Sequence, residues 1–544
     1  MVRRLWFSAA MLTVGTSLLV AAAVAWSAER ADAPKGGTLR LGSVFDVESV
    51  DPALSYEFGL EFATCAKLFN YPDASGAAGT RVIPELVKSW TVSKDGRTYD
   101  FEMKRTFRFH TGAAVTARSF AAAFNRDANP RLESPARLQG YMREIVGAVA
   151  VMQGRAKAIS GVRALGRYRL QIRLTRPVGD FTARLTMPFF CPILPNTPIV
   201  PEGIDNPPGS GPYYVAERVV NRLVVLKRNP FYQGGRPANV DQVVWMVGET
   251  AEGCFQKVEE NQLDLCLAQM PNSALPRRLV ERYGVNRPGG QFFRSPISST
   301  AHFVFNHDRR AFRGPGQIAL KKAINYAIDR PALTRAYPYL VGIRTDQILP
   351  AALGRDTSVY PLGGADPATA RKWYARAEYK PQRLVYYATN DRFGIALAQV
   401  LQFNLKQIGI ELELKYYDYP TKYEKIGTRG EPFDISYNNW APDWPDPAAF
   451  FEPLLTPNLR TTGNSNYPYF VRPWVTRRME AASRLTGPAR RKAWADLDAD
   501  LMRDDPPWAP IVHNAYRTFV SPSFGCLVDH PVYGVDFAAA CKKK

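Results

Sequence analysis

The chain has 544 residues, 46% of them hydrophobic and 22% charged, and its 70 lysines and arginines against 50 acids give a formal net charge of +20. That length exceeds what one hydrophobic core organises, so two or three subdomains are expected, and the apolar content excludes a disordered chain apart from its ends. The basic residues come in ones and twos, with no block longer than Lys542-Lys543-Lys544 and no zinc-finger or RNA-binding aromatic spacing, so the charge reads as a solvated surface without a nucleic-acid partner.

At the start of the chain, Arg3 and Arg4 precede an uncharged apolar run from Leu5 to Trp26. Small residues follow at Ala25-Trp26-Ser27-Ala28 and Ala31-Asp32-Ala33. This is the pattern of an export signal over residues 1–33 with two cleavage points, in a run also long enough to stay as an N-terminal anchor. Cleavage after Ala33 removes Arg3, Arg4 and Arg30 with Glu29 and Asp32, which takes the net charge from +20 to +19. No cysteine precedes Cys65, so a lipoprotein attachment site is not expected, and no later segment is apolar enough to cross a membrane.

Six cysteines in an exported chain read as a disulfide framework. Their placement suggests Cys254 with Cys266, Cys526 with Cys541 and, by elimination, Cys65 with Cys191, among the 15 connectivities that six cysteines allow. No CxxC spacing occurs, so no metal cluster or cofactor is expected.

From about Arg81 to Leu174 the pattern is that of antiparallel sheet. Thr98 to Met103 and Arg167 to Leu174 alternate apolar and polar residues, and Ser93-Lys94-Asp95-Gly96 supplies a turn before the first. Thr116 caps a short helix through Phe124. Proline is dense from Pro188 to Pro212, which marks a boundary, and the strand Leu223 to Lys227 leads into the loop Arg228-Asn229-Pro230-Phe231-Tyr232.

The second half carries helical periods. Gly316 to Asp329 places Leu320, Ala323, Ile324, Ala327 and Ile328 on one face, and Asp366-Pro367 caps and opens a helix through Ala377. Leu384 to Thr389 reads as a strand, Phe393 to Ile408 as a helix stopped by Gly409, and Ile410 to Tyr417 as a second strand. That βαβ unit requires parallel pairing and places ligands at strand carboxyl ends. After the alternating run Pro432 to Asn438 comes Trp440-Ala441-Pro442-Asp443-Trp444-Pro445-Asp446-Pro447. Its prolines exclude a helix or a central strand, so it is a stiff loop that presents two acids among tryptophans.

The ordered series Ile83-Pro84-Glu85-Leu86-Val87-Lys88-Ser89-Trp90, Asp95-Gly96-Arg97-Thr98-Tyr99, Phe107-Arg108-Phe109-His110-Thr111-Gly112 and Gly209-Ser210-Gly211-Pro212-Tyr213 resembles the extracytoplasmic solute-binding proteins of peptide, oligopeptide and nickel ABC transporters. The likeness continues through Leu226 to Tyr232, Ala323 to Arg330, Leu405 to Ile410 and the Trp440 to Pro447 loop. It implies an α/β, two-lobed periplasmic-binding-protein fold with an additional subdomain inserted in lobe one. Residues 34–73, 205–299 and 511–544 would form the lobe one core, 74–204 the inserted subdomain and 300–510 lobe two, with a hinge near Ser299 and Pro510.

The resemblance also implies a binding component of an ABC importer. It would capture peptides between its lobes, work as a monomer in the periplasm or outside the cytoplasm, and deliver its ligand to the membrane permease subunits. An aspartate in the loop following a Trp holds the substrate's α-ammonium in such relatives, and Asp443 stands at the matching position, in a cleft dried by Trp440 and Trp444. Asp446, before a proline, caps a turn. Arg392 is the candidate cation for the other end of a peptide, and Ser55 and Tyr56, after the Asp51-Pro52 turn, match a segment lining the cleft. Tyr437 and Asn438 lead into the site loop and fit sheet packing equally well.

The enzyme class finds no anchor. There is no Gly-x-Ser-x-Gly elbow, no His-Glu-x-x-His helix and no phosphate loop. Of the five histidines, His302 and His307 lie on opposite faces of a strand-like stretch, which counts against a shared metal and a histidine-ligated nickel role. His110 belongs to a structural motif of the resembled family. Oligosaccharide or nickel-chelate binding on the same fold remains the alternative, since an acid also accepts sugar hydroxyls.

Overall fold

A computed structural model of the protein describes residues 33–543 apart from 139, 272, 356 and 457–461. The export signal expected over residues 1–33 lies outside the described residues, save Ala33. Among the described residues no helix is long and apolar enough to cross a membrane.

Three sheets carry the architecture. The first has five strands in the order Leu265–Cys266, Thr38–Ser43, Gln242–Val247, Leu223–Arg228 and Tyr213–Val219. Thr38–Ser43 pairs in parallel with both its neighbours, and the other contacts are antiparallel. Its core gathers Leu39, Leu41, Val224, Leu226 and Val243, all fully buried, as the two-residue period of these strands demands.

The second sheet is antiparallel, in the order Val87–Val92, Thr98–Met103, Arg169–Arg173 and Val162–Ala164. Tyr99, Phe101 and Met103 point inward from one face. The turn before Thr98 forms as the sequence reads: Gly96 has φ +69° and its N–H donates to the Ser93 carbonyl at 2.8 Å. The helix Ala117–Asp127 packs against this sheet, and the Thr116 N–H donates to Ser119 Oγ at 3.3 Å across its first turn. One residue of that helix reaches out: Arg126 is buried and forks onto Asp51 at 2.8 and 2.6 Å.

The third sheet has six strands, Gly342–Arg344, Trp508–Phe519, Phe292–Phe305, Ile435–Trp440, Arg383–Thr389 and Glu411–Tyr417. Arg383–Thr389 and Glu411–Tyr417 are parallel and in register along their whole length, joined by the helix Arg392–Lys406. Asp391 caps that helix by accepting from the Gly394 N–H at 2.7 Å, and Gly409 follows it at φ +82°. The helix read over Gly316 to Asp329 is shorter, Ile318–Ala327, behind a 3-10 turn Pro315–Gln317. Asp329 is used instead to cap the next helix, Arg330–Ala336, accepting from the Ala332 N–H at 2.9 Å.

Phe292–Phe305 and Trp508–Phe519 are long antiparallel partners whose register breaks between Pro296 and Thr300 and again between Ala301 and His302. Both strands reach from the six-stranded sheet toward the first one, and Val520 bridges to Leu265 there.

The disulfides are Cys65–Cys191, Cys254–Cys266 and Cys526–Cys541, separated by 126, 12 and 15 residues. Because the entropy removed from the unfolded chain grows with loop length, replacing both cysteines of the 65–191 pair by serine should cost about 5 kcal/mol, against about 3 kcal/mol for the 254–266 pair. Denaturant unfolding of the two double variants checks the order.

Candidate functional site

The loop after Trp440 is where two parts of the molecule meet. Trp440 closes the strand Ile435–Trp440, and its indole N–H donates to the Ala449 carbonyl at 2.9 Å, which ties the loop across its own base. Four residues on, Trp444 is buried in the core of the antiparallel subdomain rather than in that of the six-stranded sheet. Its indole N–H donates to Asp180 Oδ2 at 3.0 Å, its ring meets Tyr141 edge-on at 5.4 Å, and the Arg184 guanidinium lies 5.4 Å from it.

Charge surrounds this plug. Arg184 reaches Asp180 at 3.2 Å, Glu144 at 3.1 Å and Glu452 at 3.5 Å, and Arg490 forks onto Asp446 at 3.0 and 2.7 Å. Burial alone would push the Asp180 carboxyl up, but Arg184 and Arg490 outweigh it and hold Asp180 below the usual carboxylate range. Asp446 also accepts from the Ala448 N–H at 2.8 Å, so it both caps the turn and anchors an arginine whose side chain is nearly all buried.

Asp443 stands between these anchors. The Tyr141 hydroxyl donates to its carboxylate, and among the described residues no basic side chain pairs with it. Burial pushes the Asp443 carboxyl up, offset in part by the tyrosine. Tyr141 is itself pushed up by burial and by the Asp443 charge.

From Tyr141 an aromatic wall leads to a cleft of about 910 Å³. Phe189 stacks on Tyr141 at 6.1 Å and meets Tyr56 edge-on at 5.4 Å, and Tyr56 lines the cleft. Behind it lie the segments that follow Thr38–Ser43 and Leu265–Cys266, at the carboxyl ends of parallel strands, together with residues 516–518 and 532–535. This is where an open α/β sheet leaves room for a ligand.

Of the other residues singled out from sequence, Ser55 is buried inside the Asp51 turn, accepting from the Glu57 N–H at 3.0 Å. Tyr437 accepts from the Tyr337 hydroxyl at 3.2 Å and packs on Phe393 at 5.5 Å. Asn438 is buried with its amide 3.4 Å from His302. Arg392 is exposed in the first turn of its helix. His302 and His307 are both buried on separate partners, the Thr300 and Pro468 carbonyls, and His110 accepts from the Gly209 N–H at 3.1 Å. Among the described residues no group of three or more His, Cys, Asp or Glu could hold a metal ion. Tyr141, Asp180, Arg184 and Arg490 carry no local sequence signal; only contact with a distant segment gives them a part in the site.

A model of the bacterial extracellular solute-binding proteins, family 5 (middle), matches residues 81–461, more than half of the chain. The protein belongs to this family. It is 23% identical over 469 residues to the periplasmic oligopeptide-binding protein OppA of Escherichia coli (strain K12), covering 81% of each chain. It is also 23% identical over 510 residues to heme-binding protein A of Haemophilus influenzae (strain ATCC 51907 / DSM 11121 / KW20 / Rd), covering 89% of this chain and 88% of that one. Among solved structures, clavulanic acid biosynthesis oligopeptide binding protein 2 superposes with a TM-score of 0.84 at 25% identity, covering 94% of this chain and 96% of that one. The fold of this solute-binding protein is thus the mixed α/β, two-lobed architecture of periplasmic binding proteins, with a subdomain added to lobe one.

The ion pair at Asp446 gives it a larger structural part than the turn contact read from sequence. Asp446→Asn should strand the Arg490 guanidinium and lower unfolding free energy by about 3 to 5 kcal/mol. Thermal and denaturant unfolding of the variant against the wild type measures it.

Proposed function

We propose that this solute-binding protein is the binding component of an ABC importer, exported through its N-terminal signal, and that it captures peptides by their free N-terminus. The observation that carries the reading is Asp443: a partly buried carboxylate, held by one tyrosine O–H and, among the described residues, without a cation partner, at the end of an aromatic wall that opens on a cleft. An α-ammonium placed there would form a charge-assisted hydrogen bond in surroundings of low dielectric. A sugar hydroxyl would not answer the unpaired charge. The oligopeptide-binding relatives support the same choice of ligand.

Residues 34–73, 205–299 and 511–544 are proposed as the lobe one core, 74–204 as the inserted subdomain and 300–510 as lobe two. In support, the five-stranded sheet draws all its strands from the first set and the antiparallel sheet all of its from the second. Phe292–Phe305 and Trp508–Phe519 straddle the proposed crossings, and their register breaks fall beside Ser299. Closure about these strands would bring a monomer's lobes onto the ligand before it meets the permease.

Calorimetry on a peptide with a free N-terminus should show Asp443→Asn losing about 2 to 5 kcal/mol of binding, with a similar loss when the wild type meets the N-acetylated peptide. Combining variant and acetylated peptide should add little, because both changes remove one interaction. Equal and additive losses would mean that Asp443 is not the amine partner.

The same pair sets a pH dependence. The ammonium needs the ionised carboxylate, and burial has raised the Asp443 pKa, so affinity should be full at neutral pH and fall as pH drops through that raised value. Titrations between pH 7.5 and 4.5 should show this fall in the wild type and a flat profile in Asp443→Asn.

A further inference from the structure

The charge lining the cleft runs against the charge of the protein. In a chain with 70 basic and 50 acidic residues, the cleft is bordered by three acids, Asp46, Glu57 and Asp529, and by one base, Arg517. Arg517 donates to the Tyr339 and Met270 carbonyls at 3.2 and 2.9 Å, and among the described residues it forms no ion pair. The acids are therefore not neutralised from within the lining.

Asp529 is the most committed of the three. It is 3% exposed, Thr518 donates to its Oδ2 at 2.8 Å and the Ser295 side chain also favours its charged form, while among the described residues the buried Oδ1 accepts no hydrogen bond. A buried carboxylate oxygen without a donor costs free energy that a ligand can recover. Burial pushes the Glu57 carboxyl up, and the charges of Glu48 and Asp46 push it further, so the acids at the mouth repel one another. A cation between them removes that repulsion. The walls suit a long aliphatic stem: Tyr516 beside Asp529 is 39% exposed, and Phe45 at the edge is 81% exposed.

We infer that the cleft takes a basic side chain of the ligand, its ammonium or guanidinium seated on Asp529 and facing Glu57 and Asp46, so that the protein selects peptides containing lysine or arginine. The inference rests on the peptide reading of the site. It adds to the α-ammonium contact at Asp443 a second cation contact, which sets preference rather than register.

The test uses the full mature protein and Ala-Ala-Ala in which each position is replaced in turn by lysine or by norleucine, which keeps the stem and drops the charge. A charged hydrogen bond in the cleft corresponds to a preference of about tenfold or more for lysine over norleucine at one position. Asp529→Asn should abolish that preference by weakening the lysine peptide about tenfold or more relative to its affinity for the wild type. Glu57→Gln, which alters a side chain outside the folded core, should reduce the preference by about twofold to fourfold, and it decides the matter if Asp529→Asn does not fold. Asp443→Asn should weaken both peptides alike. Peptide binding with no lysine preference at any position, or a preference that survives in the variants, overturns this inference and leaves the peptide reading standing. No binding of any of these peptides to the wild type overturns the peptide reading and this inference with it.

Discussion

The burial of Trp444 in a core that belongs to another part of the chain is the contact on which the site depends. A tryptophan ring removed from water contributes on the order of 3 kcal/mol or more, and here that gain is realised only if the loop bearing it crosses to the antiparallel subdomain. Once the ring is seated, its indole N–H must find an acceptor, and Asp180 supplies it. A buried Asp180 in turn requires Arg184, which spends its remaining donors on Glu144 and Glu452. The chain of necessities ends at Asp443, one residue before the plug, whose position is thereby fixed to within the play of a proline-bounded segment.

This arrangement makes the loop a joint, and under the proposed contact at Asp443 it would be a sensor as well. Trp444 and Asp446 are held by internal partners, Asp180 and Arg490, while among the described residues the Asp443 carboxylate is held by the Tyr141 hydroxyl. Two holding residues and the proposed binding residue thus lie within four positions. The Tyr141 ring ties the two roles together, since it packs against Trp444 and donates to Asp443. A solute contacting Asp443 would thus act on the same contact that joins the subdomain to the six-stranded sheet, which is the differential interaction a ligand needs if it is to shift a closing equilibrium.

The electrostatics follow a similar division. The surface is strongly basic, yet the cleft is edged by acids, so the field inside it is set locally by Asp46, Glu57 and Asp529 and not by the net charge. Charges on the outer surface are screened within about 10 Å in ordinary salt, whereas those in the cleft are partly withdrawn from water and act at lower dielectric. A net charge of +20 therefore says little about the ligand.

Much of the local structure was legible in the sequence because it is decided by neighbours a few residues apart. The strand over Thr98 to Met103, the Asp366 and Thr116 caps, the stop at Gly409 and the parallel βαβ unit between Leu384 and Tyr417 each rest on period or on cap and turn chemistry, and the structure places them within two or three residues of the reading. The family likewise follows from motifs in a fixed order. The helix read to Asp329 shows the limit: its last residues were claimed by the next helix's cap, which period cannot reveal. What lies opposite Asp443 was decided only by tertiary structure. Tyr141 is 302 residues away along the chain, Asp180 is 264 from Trp444, and Asp529 reaches the cleft from a segment near the C-terminus. Sequence determines the conformations that short-range sterics and hydrogen bonds favour; which distant side chains share one buried volume depends on how the sheets pack, and that is a property of the whole folded chain.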